Sequence, residues 1–386
     1  MKYVDEFRDG ALARGIANAI RAEADPARSY RFMEFCGGHT HAIARYGLED
    51  LLPPNVRMIH GPGCPVCVLP VSRIDAAIRL AAEPGVTLCS YGDMMRVPGS
   101  DGMSLLKAKA GGADIRMVYS TLDALRIAGE VPHREVVFFA IGFETTTPPT
   151  AVAIKMAERQ RLANFSVFCN HVLTPAAMRA LLTGAGGVPI EGFVGPAHVS
   201  TVIGMAPYAF CATEFAKPVV IAGFEPLDVM QAVLMLVRQV NDGRHDIENE
   251  YARAVTPAGN RKAQALVAEL FEPRAAFEWR GLGSLPLSAL TLRPAYARFD
   301  AEARFTVETV AAADNPACDC GAILRGLKRP PDCRLFGKVC RPEAPVGACM
   351  VSSEGACAAH WSYGRFREHA KANDNTRAET NEQVPA

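Results

Sequence analysis

The sequence carries no excess of charge of either sign: Lys plus Arg and Asp plus Glu stand at 41 each. A chain so balanced has no net field to gather nucleic acid or an anionic membrane, so neither partner is expected. No stretch of about 18 or more residues stays apolar, and no helical membrane span is expected. The first residues, MKYVDEFRDGALARGIANAIRAEADP, include acids from the start and read as an amphipathic helix rather than a signal peptide. A cytosolic protein is the expectation. Nucleotide fingerprints are missing as well, since neither G-x-G-x-x-G nor G-x-x-x-x-G-K-[ST] follows any candidate strand. There is no low-complexity tract and no repeat beyond a general strand–loop–helix rhythm.

What is present is globular: hydrophobic residues make up 49% and charged residues 21% of 386 positions. The unusual ingredient is cysteine, at 12 residues. A reducing compartment does not keep structural disulfides, so clustered cysteines there point to metal or redox chemistry. Cys89, Cys169 and Cys211 lie in apolar runs and read as core. The other nine fall in loops or in the stretch from Cys318 to Cys357.

Short apolar runs recur at Tyr30–Phe35, Val56–His60, Val86–Ser90, Ile115–Tyr119, Val136–Ile141, Phe165–Cys169, Gly192–Val194 and Val219–Ala222. Runs that are apolar without alternation suit strands buried on both faces. Helix-period segments such as Ile74–Ala82, Thr150–Leu162 and Pro175–Leu182 lie between several of them. This alternation predicts an α/β fold with parallel, doubly wound sheets. A break near residues 125–135 divides it into α/β domains at 29–128 and 129–225, after an N-terminal helix (1–28) packed on the C-terminal domain. Beyond Pro226 the texture turns helical, with helices expected over Leu227–Val240 and Glu250–Phe271 and mixed structure over 279–299. The cysteine-rich stretch completes a domain of residues 226–370, and 371–386 reads as a disordered tail.

Ligands of open α/β sheets bind beyond the carboxyl ends of strands. Four expected strands run into loops of uncommon composition: Cys36-Gly-Gly-His39-Thr-His, Gly61-Pro-Gly-Cys64-Pro-Val-Cys67, Gly142-Phe-Glu144-Thr-Thr-Thr-Pro-Pro and Gly195-Pro-Ala-His198-Val-Ser. Two glycines after Cys36 allow close approach and positive φ. A thiol near a helix start with His39 nearby has its thiolate favoured, as a nucleophile or metal ligand requires. Cys64 and Cys67 form a lone C-x-x-C, either a redox dithiol or half of a metal site; no second C-x-x-C exists to complete a zinc site. Glu144 and its threonines suit a capped helix start, and Glu144 and His198 join Cys36, His39, Cys64 and Cys67 as candidate catalytic residues. His198, alone, reads equally as a structural histidine.

The tail spacing is Cys318-x-Cys320-x12-Cys333-x6-Cys340-x8-Cys349-x7-Cys357. Zinc modules pair their ligands at two to four residues, so the wider spacing favours an iron–sulfur cubane. Cys320, Cys333, Cys340 and Cys357 make the simplest ligand set, with Cys318 and Cys349 in reserve.

Together, the four loops and the segment from Cys318-Asp-Cys-Gly to Cys349-Met-Val-Ser-Ser-Glu-Gly-Ala-Cys357 resemble the HypD family of NiFe-hydrogenase maturation factors. The resemblance spans roughly residues 5–365. It implies two Rossmann-like domains and a third holding a 4Fe-4S cluster. It further implies a complex with the small chaperone HypC, on which the Fe(CN)2CO unit destined for the hydrogenase large subunit is assembled. Cyanide would come from HypE working with HypF. Carried over by motif, Cys36 would hold the iron as thiolate with His39 close by, and Cys64 and Cys67 would be a redox pair exchanging electrons with the cluster. The rival reading is a cluster-dependent thiol–disulfide reductase acting on a protein substrate.

Overall fold

The computed structural model describes residues 5–184, 188–307 and 310–364, so the expected tail at 371–386 lies outside the described residues. It is an α/β structure with two parallel sheets. The strands of these sheets are β1 (Tyr30–Glu34), β2 (Val56–His60), β3 (Val86–Ser90), β4 (Ile115–Met117), β5 (Glu135–Gly142), β6 (Phe165–His171), β7 (Gly192–Pro196), β8 (Val219–Ala222) and β9 (Ile247–Asn249). One sheet has the order β2-β1-β7-β8-β9 and the other β4-β3-β5-β6. All pairings within both are parallel.

Sheet membership does not follow chain order. The chain leaves the first sheet after β2, builds the whole second sheet, and returns at β7 to pair with β1. The break expected near 125–135 therefore falls inside the second sheet, between β4 and β5. A boundary drawn from loop composition misses this, because an apolar run does not say which neighbour it will pair with. The run β5 shows why these strands were legible: Val136 to Gly142 is buried throughout, as in a strand covered on both faces.

Helices cover the sheets by ordinary patterning. Helix Gly10–Glu23 buries Ala13, Ala17 and Ile20, one stripe at helical spacing, and Asp9 caps it by accepting from Ala11 N (2.7 Å) and Leu12 N (3.0 Å). Burying Ile20 alone contributes roughly 1.5–3 kcal/mol. This helix packs on helix Pro226–Asn241, which itself covers β7 and β8. The N-terminal segment is thus a layer of the first sheet.

Two expectations fail locally. The helix expected over Glu250–Phe271 begins only at Arg261 and ends at Leu270. Before it, Pro257 lacks an N–H, Gly259 takes φ 64°, and Asn260 caps the new start by accepting from Ala263 N (3.1 Å). The threonines after Glu144 do not cap helix Thr147–Gln160 through their side chains. Thr146 and Thr147 instead donate to the Phe143 carbonyl at 3.1 and 3.2 Å, stitching the loop to the helix. Residues 271–292 do add strands, as two small antiparallel pairs. Among the described residues, no helix is long and apolar enough to cross a membrane.

Candidate thiol site at the strand ends

Cys36 stands at the N-cap of helix Gly37–Tyr46, two residues past β1, and is 7% exposed. The two glycines after it serve for room rather than positive φ. A Cβ on Gly37 would overlap the side chain of Glu354, and one on Gly38 would come within 2.6 Å of the Phe224 ring. The C-x-x-C loop lies directly alongside. Gly37 N donates to Gly63 O (3.0 Å), and a Cβ on Gly63 would strike the Cys36 backbone. Cys64 and Cys67 are joined as a disulfide, with Cα atoms 5.3 Å apart, and both are buried. The short helix Pro65–Val68 that carries them packs on Ala348–Met350 of the cysteine-rich tail.

The histidine beside the Cys36 sulfur is His198, whose Nδ1 lies 3.9 Å from Sγ. His39, expected in that role, points elsewhere: its Nε2 meets the carbonyls of Ala222 (2.9 Å) and Gly223 (3.0 Å). Two carbonyl acceptors assign the proton to Nε2 and leave Nδ1 as a buried acceptor without a hydrogen-bond partner. Phe224 ties the two histidines together, with ring centroids 4.8 Å from His39 and 4.1 Å from His198. Burial lowers the pKa of both, and His39 further disfavours charge on His198.

The expectation of a favoured thiolate at Cys36 is reversed. Burial pushes the thiol up, and the Glu354 and Glu34 carboxylates push the same way; the Gly38 N–H at the helix start is outweighed. Glu34 was not singled out in the sequence, though an acid inside the apolar run Tyr30–Phe35 was a signal. It is fully buried and organises the loop, accepting from Cys36 N (3.0 Å), Thr40 Oγ1 and His60 Nδ1 (3.0 Å). Burial opposes charge on His60, but the bond to Glu34 prevails and raises its pKa.

Glu144 does not join this cluster. It is 7% exposed, accepts from Thr174 N and Thr174 Oγ1 at 2.9 Å each, and faces a separate cavity. Tyr208, buried and bonded to Ser200 Oγ at 3.0 Å, lies within electrostatic reach of both Glu144 and Cys36.

The tail cysteines gather behind the disulfide helix. Five of the six are buried, and Cys318 is partly so. Cys320 lies beside Cys318 and Cys349, while Cys357 lies within electrostatic reach of Cys320, Cys318, Cys340 and Cys333. Buried Arg280, which donates to Leu69 O through Nη2 (2.9 Å), sets a positive charge near Cys318, Cys320 and Cys349. Val346 N points at Cys340 Sγ (3.4 Å). Among the described residues, no three or more His, Cys, Asp or Glu side chains stand in an arrangement that would hold a metal ion. The donor chemistry nonetheless fits an iron–sulfur cluster, being soft, buried thiols with a cation and an N–H to offset thiolate charge.

The family model described as "HypD: Hydrogenase formation hypA family" matches residues 11–364. The chain belongs to the HypD family. It is 70% identical over 383 residues to hydrogenase maturation factor HypD of Rhizobium leguminosarum bv. viciae, covering 98% of this chain and 100% of that protein. The factor of the same name from Escherichia coli K12 is 48% identical over 375 residues, covering 96% and 100%. That from Rhodobacter capsulatus is 54% identical over 376 residues, covering 95% and 99%. This family's chain is a hydrogenase maturation factor.

Proposed function

We propose that this factor is a cytoplasmic scaffold on which the Fe(CN)2CO unit of a NiFe-hydrogenase is assembled, in complex with a HypC-type chaperone. Cyanide arrives from HypE, charged by HypF, and the finished unit passes to the hydrogenase large subunit. The observation that carries this reading is the abutment of two thiol loops, Gly63 lying against the backbone of Cys36 one residue before Cys64. A free thiol and a dithiol–disulfide pair are thereby neighbours.

Iron is the cargo, and Cys36 supplies the soft thiolate that suits low-spin iron with strong-field ligands. Burial and two carboxylates keep that thiol protonated, so it is silent until a metal displaces the proton. Reduction of the Cys64–Cys67 disulfide takes up two electrons and two protons, and reoxidation returns them. Cys320, Cys333, Cys340 and Cys357 would hold a 4Fe-4S cluster, which when bound supplies single electrons near the disulfide helix. Cys357 lies within electrostatic reach of Cys318 as well as of the other three, so the choice of this set rests on spacing.

The reductase reading is disfavoured by burial. Cys64 is 3% and Cys67 0% exposed, which leaves no room for the disulfide of a folded protein substrate. The test is anaerobic purification with the small chaperone, followed by infrared spectroscopy in the cyanide and carbonyl region. Cys36→Ala should abolish the iron-bound bands; bands at full strength in that variant overturn the role of Cys36.

A further inference from the structure

Away from the thiols, a cavity of about 370 Å³ opens between helices Thr174–Thr183, Ala197–Ile203 and Arg261–Leu270. This falls within the range of small-molecule sites. Its walls are almost wholly apolar, with Leu173, Val202, Ile203, Val267, Leu287 and Leu290 among them. Gln264 braces two of the walls, its Nε2 donating to Val202 O (2.7 Å) and Ala258 O (2.8 Å). Leu287 is 60% exposed and held at φ 50°, an uncommon setting for a leucine.

Among the described residues that line this apolar space, one is ionisable, Glu144. Its own backbone N–H and two donors of Thr174 favour the carboxylate. No Lys, Arg or His among the described residues forms an ion pair with it, whereas buried carboxylates are ordinarily matched by a cation. Glu34, by contrast, has His60. The cavity that Glu144 lines is the open space from which a cation could reach it. Lining charge and lining shape agree on what fits: a compact apolar body with a single positive head.

We infer that this cavity is a binding site for a small organic monocation, an ammonium carried on an apolar body, whose charge pairs with Glu144. Neutral molecules of the same shape would gain the apolar contact alone, and anions would meet an opposing carboxylate. Burial pushes Glu144 up to about 7, so a bound cation would also draw off its proton. The site is separate from the iron chemistry and stands or falls without it.

The experiment is calorimetric titration of the full chain with benzylammonium, benzyl alcohol and benzoate. Saturable one-to-one binding is expected, with benzylammonium at least tenfold tighter than the alcohol and no binding of benzoate. Glu144→Gln should bring amine and alcohol to equal affinity. Ala268→Phe, at an exposed position on the rim, should abolish binding of both with circular dichroism unchanged. Absence of saturable amine binding by the native chain overturns the proposal, as does an amine preference that survives Glu144→Gln. Because no step requires iron or the chaperone, failure here is distinguishable from failure of the scaffold reading.

Discussion

Glu34 and Glu144 sit at the same architectural address in different sheets, the first closing β1 and the second two residues past β5. Both are buried. Glu34 is met by a backbone N–H, a hydroxyl and an imidazole, and through them it fixes the loop that carries Cys36. Glu144 is met by donors of Thr174 and by no cation, and it looks into an apolar cavity. The position at a strand end brings an acid to the ligand side of a sheet; the facing side chains then decide whether it becomes a strut or a contact point.

Three measurements would break or sharpen that contrast. The largest effect is expected from Glu34→Ala, which leaves the Cys36 N–H, Thr40 and His60 without their common acceptor. A loss of roughly 3–5 kcal/mol should appear in urea unfolding; a loss below 1 kcal/mol would remove Glu34 as the organiser. The second concerns pH. Glu144 is raised from about 4.5 to about 7, so its protonated form is preferred by the folded state. That stability is full below pH 4.5 and is lost as pH rises through 7, a swing of about 3 kcal/mol. Unfolding at pH 5 and pH 8 should therefore show a steeper decline in the native chain than in Glu144→Gln. Glu250 shifts in the same direction, but it is present in both chains and cancels. The smallest effect belongs to a half-exposed control, Glu23, which accepts two bonds of 2.7 Å from Arg238. Glu23→Ala should cost under about 1 kcal/mol. A cost like that of Glu34→Ala would mean that the number of bonds, not burial, sets the scale.

Much of this architecture was legible in the sequence. Continuous apolar runs gave β2, β3 and β8 to the residue; in β3 and β8 the run reflects burial of every residue, whereas the edge strand β2 exposes Arg57. Which runs share a sheet was not legible, since pairing depends on neighbours more than a hundred residues away. The site divides in the same way. The loops of Cys36 and Cys64 could be found from composition, but the companion of Cys36 could not. His39 was nearer in sequence, yet helix geometry turns its ring toward the Ala222 and Gly223 carbonyls, while His198 arrives from β7. Phe224, which holds both rings, carries no compositional mark at all. The thiolate expectation failed for a related reason: a helix start is visible in sequence, but the burial that overrides it, and the Glu354 carboxylate that adds to it, come from segments remote in the chain.

The return of the chain at β7 has a temporal side. On a ribosome, β1 and β2 are finished long before Gly192, the first residue of β7, has been made. At the usual pace of synthesis the interval is on the order of 10–20 s. Through that time the Cys36 loop has β2 on one side and nothing on the other, and His198 and Glu354 do not yet exist. The second sheet can meanwhile fold as an insert with all its strands in hand. The thiol therefore acquires its burial and the Glu354 carboxylate only as the last cysteines emerge, which ties the suppression of the Cys36 thiolate to late synthesis.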